Sequence, residues 1–316
     1  MQTTLQTAVR FRGTGLHSGN KARLTIRPAP ADHGIVFRRT DRNPGASDIP
    51  ALWQFAEPAQ LCTRIRNAAG THVETIEHLM AALAGCGIHN ALIEIDGPEV
   101  PILDGSAAPF VRAFLGAGLR VLDAPLRALR LHEAIEVRAG AAIARLDPAP
   151  QLRISFAIDF EDAAIGRQSK QLTMANGSFV RELSDSRTFC RQRDVEAMRA
   201  AGLALGGTYH NAVVVEGARV LSPGGLRHAD EPVRHKMLDA LGDLALAGMP
   251  LLAAYTGVRA GHAVTGQLLE RLFATPDAWE IVTLSPAEAR KLPGAGVGLD
   301  DLRLAGLAPE ALRLSA

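Results

Sequence analysis

The sequence predicts an α+β fold of two similar βααβ-type domains, each a sheet packed on helices, with the two helix layers facing each other. Three observations lead there. Short strand-forming runs open each half of the chain, such as residues 22–26 and 34–38 in the first and the alternating 152–159 in the second. Each half then carries a helical stretch with a histidine at its start, a glycine stop and an apolar strand: Glu77-His78, Gly87, Leu92-Ile93, and Arg234-His235, Gly248, Leu251-Leu252. A duplicated α+β unit produces such a repeat. The length, 316 residues, accommodates two ordinary domains, and 47% apolar residues with 4% aromatic give a core of Leu, Ile, Val and Ala.

In chain order, Gly13-Thr14-Gly15-Leu16-His17-Ser18-Gly19 is a glycine-rich turn holding a histidine, and it lacks the Gly-Lys-Ser/Thr ending of a phosphate-binding loop. Taken alone, His17 reads as an ordinary turn residue. Strands at 22–26 and 34–38 flank the turn-forming Pro28-Ala29-Pro30-Ala31-Asp32-His33. The stretch 71–83 is helical, with Ile76, Leu79, Met80 and Leu83 on one face and Glu74, Glu77 and His78 on the other. Its start has two solutions: a capping box of Thr71 with Glu74, or a cap at Thr75 that puts Glu77 and His78 in the first turn. Residues 91–95 form a strand, and Ser106 caps a second helix that ends at Gly116 or Gly118. The helical pattern stops around Val121-Leu122-Asp123-Ala124-Pro125, so the domains are expected at 1–124 and 125–316.

The second half repeats this grammar. Strands are expected at 134–137, 142–146 and 152–159, a helix near 194–201, a strand at 212–215, a helix from His235 to Ala247 and a strand at 251–255. Placed on a helix at ~100° per residue, Met237, Leu238, Leu241, Leu244 and Ala245 share one arc, while His235, Asp239 and Asp243 share another. The i, i+4 spacing brings His235 and Asp239 close enough to hold one metal ion.

Charge and composition exclude several classes. Lys+Arg 34 against Asp+Glu 33, without a basic run, gives no footprint for nucleic acid. Cys62, Cys86 and Cys190 lack metal-ligand spacing and read as free thiols in a reducing compartment. Residues 1–12 contain no apolar signal core, and the apolar run at 244–255 is interrupted by Gly248 and Pro250 and is too short to span a bilayer. The expectation is a cytoplasmic, soluble protein.

Three protein ligands and one open position make a catalytic zinc site. His78 with His235 and Asp239 would supply that set, provided the two halves meet. Zinc would make water nucleophilic near neutral pH, with Glu77 beside it as general base. A departing amine would need a proton, and His262, in Gly261-His262-Ala263, is a candidate donor, although taken alone it reads as a solvated loop residue. Thr188 could stabilise an oxyanion. The His-Glu-x-x-His motif of zinc peptidases is absent. Spacing by itself leaves zinc as one of several readings.

The motifs Thr14-Gly15-Leu16-His17-Ser18-Gly19, Phe37-Arg38-Arg39-Thr40-Asp41, Thr75-Ile76-Glu77-His78-Leu79, Leu103-Asp104-Gly105-Ser106-Ala107-Ala108-Pro109-Phe110, Ser186-Arg187-Thr188-Phe189, Val233-Arg234-His235-Lys236-Met237-Leu238-Asp239 and Arg259-Ala260-Gly261-His262 occur in this order. Together they resemble the zinc-dependent UDP-3-O-acyl-N-acetylglucosamine deacetylases of Gram-negative bacteria. That resemblance implies the committed step of lipid A synthesis, the loss of acetate from the 2-acetamido group. It implies His78, His235 and Asp239 as zinc ligands, with ferrous iron also acceptable to such a set. Glu77 is implied as general base, His262 as general acid oriented by Asp243, and Thr188 as oxyanion donor. Lys236, Phe189, Phe160 and Arg259 match substrate-contacting positions, and an insert in the second domain would line an apolar passage for the acyl chain. A monomer acting on a nucleotide-sugar lipid precursor, without nucleic acid or a membrane span, is the expected setting. One departure stands out: the hairpin after Val137 carries Ala141-Ala142-Ile143 where the family has a lysine, and Arg259 is the expected substitute. Cys62 falls where the family keeps a cysteine near the metal.

Overall fold

A computed structural model describes residues 1–307. Two sheets carry the architecture. The first runs in the order Val9–Thr14, Lys21–Pro28, Ala91–Ile95, Ile35–Arg39, Asp48–Pro50, with only the Ala91–Ile95/Ile35–Arg39 pair parallel. In the second, Ile135–Ala139 pairs antiparallel with Ala142–Pro148, and Ala142–Pro148 with the long strand Leu251–Val258. Leu251–Val258 also pairs parallel with Arg153–Asp159, which pairs antiparallel with Arg167–Thr173. The pairing pattern of one sheet therefore repeats in the other, strand for strand. The second sheet adds Arg127–Leu131, which pairs with both Leu251–Val258 and Trp279–Thr283.

Strand residues alternate as expected of half-buried sheets. In Lys21–Pro28, Ala22, Leu24 and Ile26 are buried, and in Arg153–Asp159, Ile154, Phe156 and Ile158 are. Helix α1 (Glu77–Gly85) precedes the strand Ala91–Ile95 and α2 (Ala108–Ala117) follows it. Short α3 (Ser178–Glu182) and α4 (Gln192–Ala200) occupy the middle of the second half. Helix α5 (Glu231–Leu244) then precedes Leu251–Val258, and α6 (His262–Phe273) follows it. Helices α1 and α5 pack directly on each other, so the helix layers meet at the centre of the molecule. Both sheets and both layers contribute to one continuous apolar core.

Several boundaries differ from the sequence expectation. Residues His72–Glu74 form a strand against Arg64–Arg66, so no capping box forms at Thr71. Helix α1 begins at Glu77 after Ile76, without a side-chain cap, which keeps Glu77 and His78 in the first turn. Thr75 is not the cap; its φ of 56° turns the chain into the helix. Helix α5 starts at Glu231, and a single 3-10 turn, Ala245–Ala247, carries the chain on to Gly248 at φ 79°. Its polar arc is not solvated, because it faces α1. His262 lies not in a loop but at the first position of α6. The polar strand Arg167–Thr173 has no apolar alternation and was not foreseen.

One glycine sets the helix–helix distance. A Cβ on Gly242 would lie 2.0 Å from the carbonyl oxygen of Glu77. Only a residue without a side chain lets α5 approach α1 this closely.

Candidate active site

The first turn of α1 and the second and third turns of α5 bring Glu77, His78, His235 and Asp239 together, all 5% exposed or less. One ligand atom from each of His78, His235 and Asp239 lies within 4.8 Å of the others. His78 Nε2 is 3.6 Å and His235 Nε2 3.2 Å from Asp239 Oδ1. Ligands about 2.0–2.1 Å from a tetrahedral zinc stand roughly 3.3 Å apart, so these separations fit such an ion. Asp239 Oδ1 is buried and accepts no hydrogen bond from the described residues, while Oδ2 accepts from Lys236 Nζ at 2.7 Å. An orphaned carboxylate oxygen beside two imidazole nitrogens is a donor set that could hold a metal ion.

The imidazoles are oriented from behind. His235 Nδ1 lies 3.0 Å from the Ser186 carbonyl, which can only accept, so Nδ1 carries the proton and Nε2 presents its lone pair. Burial lowers the His235 pKa to about 4, with Asp239 pulling the other way, and so keeps the ring neutral as a ligand must be. Ser186 is itself held by a buried ion pair: Glu231 accepts from the backbone N–H and Nε of Arg187 at 2.9 and 2.8 Å.

Glu77 is raised in pKa by burial, against the opposing pull of His262 and His78. His262 Nε2 lies 3.9 Å from Glu77 Oε1 and 3.9 Å from Asp239 Oδ2. Its Nδ1 donates to Asp243, 2.9 Å from Oδ2. Burial alone would lower the His262 pKa, but Asp243 and then Glu77 outweigh it and raise the value to about 9. A carboxylate and an imidazolium thus stand side by side, one able to take a proton and the other to give one.

Next to this cluster opens a cavity of about 720 Å³ whose lining includes His235, Lys236, Asp239, His262, Thr188, Phe189 and Phe160. Phe160 and Phe189 meet edge-to-face at 5.4 Å, and Phe189 also stands edge-on to His235 at 6.3 Å. Helix α4 supplies Val195, Ala197 and Met198 to the wall. Lys236 is half-buried; desolvation would lower its pKa, yet Asp239 raises it, so the ammonium persists beside the carboxylates.

Arg259 stands apart. It pairs with Asp159, a carboxylate also reached by Arg167 at 3.3 Å, and does not line the cavity. The substituted hairpin is present, with Gly140 at its tip and Ala142 opening the next strand. Cys62 is buried, and burial pushes its thiol well above the ordinary range, so it is inert as a nucleophile.

Sequence reasoning missed His17. It is 5% exposed and contributes to the cavity wall. Buried Glu99 holds its turn by accepting from the backbone N–H groups of His17 and Ser18, at 2.7 and 2.8 Å, and from the Thr75 hydroxyl at 2.9 Å. That last bond secures the left-handed residue ahead of α1, a conformation costing about 1–3 kcal/mol. The glycines flanking His17 were the available signal.

A duplicated α+β fold with a carboxylate, an imidazolium and a His-His-Asp group that could hold a metal ion gathered beside one cavity fits a hydrolase. Comparison with known proteins shows the family. The model of the UDP-3-O-acyl N-acetylglycosamine deacetylase family matches residues 2–274. Proteins named UDP-3-O-acyl-N-acetylglucosamine deacetylase from Shewanella sp. (strain ANA-3), Shewanella oneidensis and Shewanella baltica (strain OS155) are each 46% identical over 284 residues. The match covers 89% of this chain and 92% of each relative. The chain belongs to the UDP-3-O-acyl N-acetylglycosamine deacetylase family. Among the described residues, no helix is long and apolar enough to cross a membrane.

Proposed function

We propose that this protein hydrolyses the 2-acetamido group of UDP-3-O-acyl-N-acetylglucosamine, releasing acetate, in a zinc-dependent reaction that commits the precursor to lipid A. The observation that carries this reading is the convergence of Glu77, His262 and the His78–His235–Asp239 set on one apolar-walled cavity. The names of the relatives supply the substrate. Zinc held by His78, His235 and Asp239 would supply a Lewis acid that acidifies water and polarises the amide carbonyl.

Glu77 accepts the proton of the attacking water at Oε1, the oxygen nearer His262. Thr188 donates its hydroxyl to the oxyanion that develops on the former carbonyl. His262, held by Asp243, delivers a proton from Nε2 to the departing nitrogen, and the C–N bond breaks to give acetate and a free amine. Lys236 holds positive charge beside the developing anion. Phe160 and Phe189 flank the sugar and the acyl chain occupies the cavity along α4, while Arg259, which lies outside the cavity lining, would have to leave Asp159 to meet the diphosphate. The two domains taken to assemble this centre are residues 1–124 and 125–316, with residues 308–316 lying outside the described residues, in a cytoplasmic monomer.

Glu77→Gln tests the reading. Acetate release by the purified variant should fall by about 10²–10⁴-fold with metal content unchanged. Undiminished turnover would remove Glu77 from the mechanism.

A further inference from the structure

We propose that Thr63 is a positioning residue for both proton-transferring groups, aligning Glu77 through its backbone and the Asp243–His262 pair through its side chain. The inference rests on the roles given to Glu77 and His262 above. Thr63 sits just ahead of the strand Arg64–Arg66 and is 8% exposed. Its N–H donates to Glu77 Oε2 at 3.0 Å. Its hydroxyl donates to Asp243 Oδ1 at 2.5 Å and lies 3.1 Å from His262 Nδ1. Its carbonyl accepts from Ile76 N–H at 3.4 Å, just before α1.

The direction of each bond follows from what its partners can do. An ionised Asp243 only accepts, so it takes the threonine hydroxyl proton on Oδ1 and the imidazole Nδ1 proton mainly on Oδ2. The threonine oxygen then has lone pairs left for the same Nδ1–H. Rotation of the Asp243 carboxylate is thereby blocked, and the tautomer and plane of His262 follow. On the other side, the Thr63 N–H occupies Glu77 Oε2 and leaves Oε1 as the oxygen facing His262 Nε2. One residue from outside both helices thus sets the relative orientation of base and acid, which sit on α1 and α6 with Asp243 on α5 between them. Partners of this kind are worth about 10–100-fold in activity at metal centres.

The test uses Thr63→Val, which keeps the backbone N–H and the β-branch and removes only the hydroxyl. Its kcat should fall about 10–100-fold, with KM and zinc content unchanged. Thr63→Ser should recover most of the loss. In an Asp243→Ala background, adding Thr63→Val should cost less than about twofold, because the oxygen served by the hydroxyl is gone. A Thr63→Val enzyme of full kcat, or an equal loss in both backgrounds, overturns the proposal. Should Thr63→Val not fold, Thr63→Ala enters the same cycle with the same expectations. Failure of the underlying mechanism looks different, since Glu77→Gln would then keep its turnover whatever Thr63 does.

Discussion

At the scale of single residues, the site separates two jobs that share carboxylate chemistry. Asp239 turns one oxygen towards two imidazoles and gives the other to Lys236, whereas Glu77, equally buried, keeps a raised pKa and an oxygen near His262. Asp239→Ala should therefore lower zinc content, measured by metal analysis, while Glu77→Gln leaves it intact. The acid–base pair also fixes the form of the pH profile. His262 must be protonated to act as acid, so activity falls as pH rises through its pKa of about 9. Glu77 must be ionised to act as base, so activity also falls as pH drops through its raised pKa. Asp243 is the largest influence raising the His262 value, so Asp243→Ala should move the basic limb of kcat to lower pH. A limb that stays in place, or moves up, would show that Asp243 does not charge the imidazole.

At the scale of elements, α1 carries His78 in its first turn and α5 carries His235 and Asp239 in its second and third turns, and the closeness of the helices depends on Gly242. Gly242→Ala places a methyl against the Glu77 carbonyl. The variant should lose about 1–3 kcal/mol of stability in denaturant unfolding, together with zinc affinity, as the histidines separate. Unchanged values for both would show that the helices can part without consequence. The legibility of these elements in the sequence followed how local their determinants are. Alternation in Lys21–Pro28 and Arg153–Asp159, and the i, i+4 spacing of His235 and Asp239, depend on neighbours along the chain and could be read directly. The start of α1 could not be settled, because it is fixed by Glu99, distant in sequence, which holds Thr75 in a left-handed turn. Thr63 was invisible as a site residue for the same reason, its partner Asp243 lying far along the chain, and His17, held through distant Glu99, was marked only by its flanking glycines. His262 looked like a loop residue because no capping side chain precedes α6. There burial disfavours an imidazolium, and Asp243 and then Glu77 outweigh it.

At the scale of the whole molecule, the repeated pairing pattern of the two sheets explains how the chain can build one centre from two halves. Helices α1 and α5 bury one another almost completely, and the apolar core is continuous between the halves. Unfolding should then be a single cooperative transition by calorimetry, and two separated transitions would contradict a shared core. Zinc binding should raise that transition in the parent protein and not in Asp239→Ala. The central claim is that residues from both halves grip one catalytic cation. Its most direct measurement is acetate release from the acylated nucleotide sugar by chelator-treated protein, before and after one equivalent of zinc. Activity should disappear on chelation and return as zinc approaches one ion per chain in the parent protein, but not in His78→Ala or His235→Ala. Full activity in demonstrably metal-free protein would contradict the account.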